Sequence, residues 1–238
     1  MIEATLRWFA DPQNWTGPTG IPNRLAEHVV ISAASLAIAL LIALPIGLYI
    51  GHTGRFANAA INSANLWRAL PSLAVIAIVL PITAALDPQA GFKVYPTVAA
   101  MIVLGVPPIL VNTFSGIREV DRDVVDAGRG QGMTEGQLLA RLEVPLAVPV
   151  IVTGIRSSAV QIVATATLGA IFGFGALGRY LVDGVSRFDT GQIVGGAILV
   201  AALVIVTDVL FALLQRVATP LAVRSDTRAD LEKGHVTP

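Results

Sequence analysis

Five windows of the chain carry no charged side chain: Val29 to Gly54, Ala69 to Leu86, Val94 to Ile117, Ser157 to Gly178 and Thr190 to Thr207. A helix rises about 1.5 Å per residue, so crossing a hydrocarbon core takes roughly 17 to 25 apolar residues. Most of the windows supply that length, and a buried soluble core does not come in five such blocks. Only 13% of the 238 residues are charged and 54% are hydrophobic, against about 25% charged in soluble domains. The sequence therefore predicts an all-α polytopic membrane protein with about five transmembrane helices, at about 27–50, 69–86, 94–116, 146–169 and 191–215. Residues 1–26 precede the spans, 27–216 form the membrane domain, and 217–238 form a polar tail with little expected order. A net charge of zero offers no basic footprint for nucleic acid, and a chain without Cys has neither a disulfide framework nor a thiolate metal site.

An odd number of spans puts the termini on opposite sides. If the 118–145 loop is cytoplasmic, the inner segments hold ten Lys and Arg residues: Arg55, Arg68, Arg118, Arg122, Arg129, Arg141, Arg216, Arg224, Arg228 and Lys233. The outer segments hold five, Arg7, Arg24, Lys93, Arg179 and Arg187. The bias places the amino terminus outside and the carboxy terminus in the cytoplasm of a cell-membrane protein. Trp8, Phe9 and Trp15 in the acidic start "MIEATLRWFADPQNW" suit a segment at the membrane interface, and serve equally as scattered surface aromatics.

The stretch from Arg118 to Pro149 interrupts this pattern with ten formal charges. Asp123 and Thr134 are each placed to start a short helix, and Thr134 has Gln137 at the capping-box spacing. A bend is expected near Gly130–Gly132. In the second short helix Leu138, Leu139 and Leu142 share one face, while Glu135 and Arg141 point away. On these features alone, a solvated connection between two spans explains the loop as well as a docking element does.

Spacing shifts that balance. Asp126-Ala127-Gly128, three residues, Gly132, nine residues, Leu142, one residue, Val144-Pro145 resembles the "EAA" signature of ATP-binding-cassette importer permeases, Glu-Ala-Ala, three residues, Gly, nine residues, Ile, one residue, Leu-Pro. Asp stands for Glu, Gly for the second Ala, and Leu and Val for Ile and Leu. The resemblance implies the type I importer permease fold, with this loop as the element that docks into a separate ATPase. Asp126, Ala127, Gly128, Gly132, Thr134, Leu138, Leu142 and Pro145 are then the coupling residues. Asp126 is read as a first-turn acid favoured by the helix dipole. Pro145 suits the first turn of the fourth span, and small residues suit a backbone seated in a cleft. "LWRALPSLAVIAIVLP", "ATATLGAIFGFGALGRYLVDG" and "GQIVGGAILVAALVIVTDVL" are similar to the branch importing glycine betaine, carnitine, choline and proline betaine. An amino-acid or methionine importer permease is the second reading. The resemblance further implies a second permease subunit, identical or homologous, a cytoplasmic ATPase dimer that binds ATP and Mg, and an extracytoplasmic solute-binding protein, all in contact with lipid. An aromatic cage would suit a quaternary ammonium; Trp8, Trp15 and Trp67 do not cluster in the spans, so that cage is expected on the binding protein.

Other patterns carry less. Gly173-Phe174-Gly175-Ala176-Leu177-Gly178 spells GxGxxG but follows a membrane helix, and reads as a flexible outer turn near a gate. Neither Lys93 nor Lys233 follows a Gly, so no phosphate loop exists and the chain is not an ATPase. His28, His52 and His235 lack zinc spacing, and Ser115 lacks a nucleophile elbow; no cofactor or catalytic constellation is expected. Asn58, Asn62 and Asn65 lie on one side of a short helix before the second span, read as a solvated face. Pro71, in "RALPSLA", falls in a segment that the resemblance places near the solute path. Two charges remain inside spans, Arg156 and Asp208. Eleven residues from Pro145 and about seven from the inner end of the last span, they lie roughly 16 Å and 10 Å deep. An ion pair joining the fourth and fifth spans is one reading, and an Arg156 that meets a betaine carboxylate in the path is the other. A stand-alone secondary transporter or channel would explain the hydropathy and the intramembrane charge, but not the spacing of the loop.

Overall fold

The computed structural model describes residues 1–87, 89 and 91–218. Of the polar tail expected at 217–238, all but the first two residues lie outside the described residues, as do Arg224, Arg228, Lys233 and His235. The described chain is helical throughout: α1 (Ile2–Ala10), α2 (Ile21–Thr53), α3 (Ala57–Ala69), α4 (Ser72–Leu86), α5 (Val94–Arg118), α6 (Arg122–Gly130), α7 (Glu135–Leu138), α8 (Val144–Ala166), α9 (Gly178–Arg187) and α10 (Thr190–Ala218). A π turn, Leu139–Glu143, joins α7 to α8, and a 3₁₀ stretch, Thr167–Phe172, follows α8.

Among the described residues four stretches are long and apolar enough to cross a membrane: Ile21–Thr53, Val94–Arg118, Glu135–Phe172 and Thr190–Ala218. The second expected span differs. It is α4, 15 residues long and so only about 22 Å in rise, preceded by α3 at a bend of 96°. Pro71 sits at that bend as the N-cap of α4, because a proline cannot continue α3 but pre-sets the backbone for a new first turn. Asn58, Asn62 and Asn65 are exposed along α3.

The centre of the bundle is α5, held between α2 and α8 by small residues. A Cβ on Gly47 would lie 2.8 Å from Thr113 Cβ, and one on Gly51 2.7 Å from Ile117 Cβ. These glycines, four apart on α2, let its backbone lie against α5, as small residues do where membrane helices cross closely. On the other side Gly154 of α8 would clash with Asn112 Cβ at 2.6 Å, and Gly105 of α5 with Ile162 at 2.7 Å. Ala39, Ala43, Met101, Ile109, Leu110, Ile162 and Ala166 fill the space between the three helices. Without a water-driven hydrophobic effect, such close packing is the main source of helix association in lipid.

α10 packs along α8 and α9, and α1 lies on α10. Trp8 is therefore packed within the protein. It is 8% exposed, edge-on to Tyr180 and Phe9, and pressed so closely to Gly195 that a Cβ there would fall 2.3 Å from its ring. The GxGxxG turn is held rather than loose. Glu27 of α2 accepts the Ala176 N–H at 2.8 Å, and Ala176 and Leu177 are fully buried.

Candidate functional site: a folded loop and a polar cavity

The loop between α5 and α8 folds as a small unit. Asp121 caps α6 by accepting the Asp123 N–H at 2.9 Å, so α6 begins two positions earlier than the sequence suggested. Asp126 consequently lies in the middle of α6, and the first-turn acid is Asp123. Gln131 and Gly132 make the expected bend, and Gly132 has φ +85, a left-handed backbone that glycine adopts without penalty. Thr134 starts α7 with a complete capping box; its N–H reaches Gln137 Oε1 at 2.9 Å.

Val120, Val125 and Leu138 form a core under the loop, with Met133 and Leu142 packed on it. Gly128 belongs to this core: a Cβ there would meet Leu138 Cδ2 at 2.7 Å. Leu139 leaves that face and packs with Ile117, Ala147 and Ile151 of the bundle instead. Asp126 and Ala127 are exposed, and Gly130, Gly132 and Gly136 have open space where a Cβ would stand. The loop thus buries one side and offers a small-residue surface on the other. Pro145 lies in the first turn of α8, immediately after the π turn. A proline ring crowds the carbonyl four residues back, here Arg141, and leaves a hydrogen bond unmade; the wider π turn falls where that strain would be.

Glu135 is exposed, as expected, and is paired there. It accepts two bonds from Arg129, at 2.8 and 3.0 Å, and lies 3.2 Å from His52 Nε2. Arg129 also donates to Asp126 at 2.9 Å. Hydrogen bonding to Glu135 in the first place, with Asp126 adding to it, pushes the Arg129 guanidinium above its ordinary value. The other nitrogen of His52 bonds Glu143, whose side chain is 1% exposed. His52 and Glu143 are 91 positions apart, and neither stands out in the sequence as a functional residue.

A second feature is a cavity of about 580 Å³ lined by Leu70, Ser72, Leu104, Pro108, Asn112, Ser157 and Gln161. Leu70 and Ser72 flank Pro71, so the α3–α4 bend opens onto it. Its polar groups are neutral: a hydroxyl from α4, an amide from α5, and a hydroxyl and an amide from α8. Pro108 is the second of two adjacent prolines inside α5, and its carbonyl accepts the Asn112 amide at 2.8 Å. Arg156 and Asp208 are absent from this lining. Arg156 instead donates through Nε and a terminal nitrogen to the two Asp208 oxygens, at 2.6 and 2.7 Å, across the α8–α10 contact. Gln215 reinforces the same seam by donating to the Pro149 carbonyl and to Thr153 Oγ1.

Together these features define a polytopic helical membrane protein with a folded polar loop at one end and a cavity among its spans. The chain belongs to the family of binding-protein-dependent transport system inner membrane components, which it matches over residues 43–222. It is similar to the carnitine transport permease protein OpuCB of Listeria monocytogenes, 34% identical over 83% of this chain and 88% of that one. It is also similar to the choline transport system permease protein OpuBB of Bacillus subtilis (strain 168), 36% identical over 82% and 86%. The osmoprotectant import permease protein OsmW of Salmonella typhimurium is 32% identical over 83% and 91%. Among solved structures, an inward-facing MetNI methionine ABC transporter chain shares the fold with a TM-score of 0.72, at 20% identity over 88% of this chain and 99% of that one.

Proposed function

We propose that this chain is the transmembrane subunit of an ATP-driven importer for quaternary-ammonium osmoprotectants such as glycine betaine, carnitine and choline. The observation that carries the reading is its identity of 32% to 36%, over more than four-fifths of its length, to permeases named for carnitine, choline and osmoprotectant transport. The methionine transporter shares the fold at 20% identity, which supports an amino-acid cargo less well. The cavity chemistry fits. A trimethylammonium group donates no hydrogen bond, so a neutral lining of hydroxyls and amides suits a quaternary-ammonium solute that must bind weakly enough to leave.

In this reading the α6–α7 loop is cytoplasmic and seats in an ATPase dimer, where ATP and Mg bind. A second permease subunit closes the cavity side, and a solute-binding protein delivers cargo at the opposite face, with the amino terminus outside. Reconstituting the chain with its ATPase and binding protein in proteoliposomes tests the reading. Uptake of labelled glycine betaine, carnitine or choline should depend on ATP and be indifferent to excess methionine. Methionine uptake in their place refutes the cargo, and solute uptake by this chain alone, without an ATPase, refutes the importer reading in favour of a stand-alone transporter.

A further inference from the structure

The helix running from Glu135 to Phe172 is the direct mechanical connection between the loop and the bundle, and it has a weak point. The π turn Leu139–Glu143 and Pro145 fall within seven consecutive residues. Regular backbone bonding is interrupted there, and such places are where helices bend. A push on α6 and α7 would flex this junction before it moved α8.

One side chain spans it. His52, near the end of α2, turns one ring nitrogen to Glu143 at the end of the π turn, which it hydrogen-bonds, and the other to Glu135 at the start of α7, 3.2 Å away. Its side chain is 13% exposed and that of Glu143 1%. A carboxylate so enclosed is costly without a partner, and His52 is the hydrogen-bond partner it has among the described residues. Glu135 in turn holds Arg129 of α6, so one imidazole joins α2, both loop helices and the root of α8. The next residue back is Gly51, where α2 lies against Ile117 of α5, and one turn further is Gly47 against Thr113. Asn112 of α5, which lines the cavity, is adjacent to Thr113 in the chain. A continuous set of close contacts therefore runs from the loop surface to the cavity wall without passing through α8.

We infer that His52 is the positioning residue that splints the loop junction and ties it to the α2–α5 pair, so that displacement of the loop reaches the cavity through α2 and α5. The inference rests on the importer reading. Without the splint the loop still docks on an ATPase, but its movement is absorbed in the π turn.

The test uses the complete importer in proteoliposomes, with ATP hydrolysis and glycine betaine uptake measured on the same preparation. His52→Ala should assemble with the ATPase and hydrolyse ATP, while solute moved per ATP falls about fivefold or more, the scale of a lost coupling between sites. His52→Arg, which places a cation with several donors between the same carboxylates, should restore most of the ratio. If His52→Ala does not assemble, His52→Gln, which keeps a donor, is measured in its place against the same expectation. An unchanged ratio in the Ala or Gln variant overturns the inference, as does an equal fall in the Arg variant, since the site would then serve packing alone. A wild-type complex that hydrolyses ATP but moves no solute refutes the importer reading itself, and the inference falls with it.

Discussion

The α2–α5 crossing is a place where a small change should have a large consequence. An added Cβ at Gly51 would sit 2.7 Å from Ile117 Cβ and 3.0 Å from its Cγ2, with the Phe114 carbonyl oxygen at 3.2 Å. Carbon atoms rest at about 3.5–4.0 Å, so the two helices must separate by about 1 Å. Ile117 cannot swing clear, because its nearest atom is the branch point next to the backbone and the side chain is fully buried. Overpacking of this kind costs about 1–3 kcal/mol. The gain in helix propensity from Gly to Ala, at most about 1 kcal/mol, offsets only part of it. Gly51→Ala should be destabilising by up to about 2 kcal/mol, and Gly51→Leu by more, since its extra atoms enter the same filled space. For a chain of this size each kcal/mol lowers the melting midpoint by about 2–4 °C. Thermal unfolding in mild detergent, followed by size-exclusion of the surviving fraction, reads the shift. Gly130→Ala is the internal control, because a Cβ there meets nothing within 4 Å; it should leave the midpoint unchanged or slightly raised. If Gly51→Leu melts with the wild type, the crossing is not close-packed and the route from loop to cavity through α2 loses its physical basis.

Three further outcomes are expected. Gly130→Leu should keep the fold yet weaken co-purification of the ATPase, because it adds bulk to the open loop surface; Gly132→Leu should lose stability as well, at a backbone φ of +85 that disfavours any L side chain by about 1–2 kcal/mol. Wild-type retention of the ATPase by Gly130→Leu would show that this side of α6 does not dock. Exchanging the charges, Arg156→Asp with Asp208→Arg, should give a protein more thermally stable than the worse of the two single variants, and a double variant no better would mean that the pair does not hold α8 to α10. Finally, the purified chain alone should hydrolyse no ATP above background, since no Gly-Lys-Ser/Thr loop is present; appreciable hydrolysis by a preparation free of other subunits would contradict this.

The spans were legible because hydropathy is a property of windows, and windows survive an error of a few residues at either end. Thr134 and Gly132 were legible for a different reason: a capping box and a bend are local devices written in adjacent residues. Asp126 was misplaced within its helix because Asp121 and Asp123 are both good N-caps, and the choice between them is made by the turn leaving α5. The partners of Glu135 and Trp8 were not legible because each lies far along the chain, His52 in one case and Tyr180 and Gly195 in the other. No periodicity announces such partners. His52 and Glu143 are the clearest instance. A histidine closing one helix and a glutamate in an amphipathic turn are unremarked singly, and only the π turn brings them together. Of the cavity, the sequence offered only the segment around Pro71, whose neighbours Leu70 and Ser72 line it; Asn112, Ser157 and Gln161 are ordinary polar residues until α5 and α8 place them on one wall.

The Arg156–Asp208 pair also constrains how the protein can be made. Synthesis runs from the amino terminus, so the stretch containing Arg156 is offered to the bilayer 52 residues before its carboxylate exists. Even the most apolar 18 residues of its helix average a hydropathy of only 1.8, the lowest among the four long spans, against 2.8 for Thr190–Ala218. The last helix is therefore apolar enough to enter on its own while carrying Asp208, whereas the one before it enters with an unmatched cation and little hydrophobic margin. Translation that stops after α9 would leave an arginine facing lipid with nothing to neutralise it, a feature by which quality-control machinery could tell an unfinished chain from a finished one.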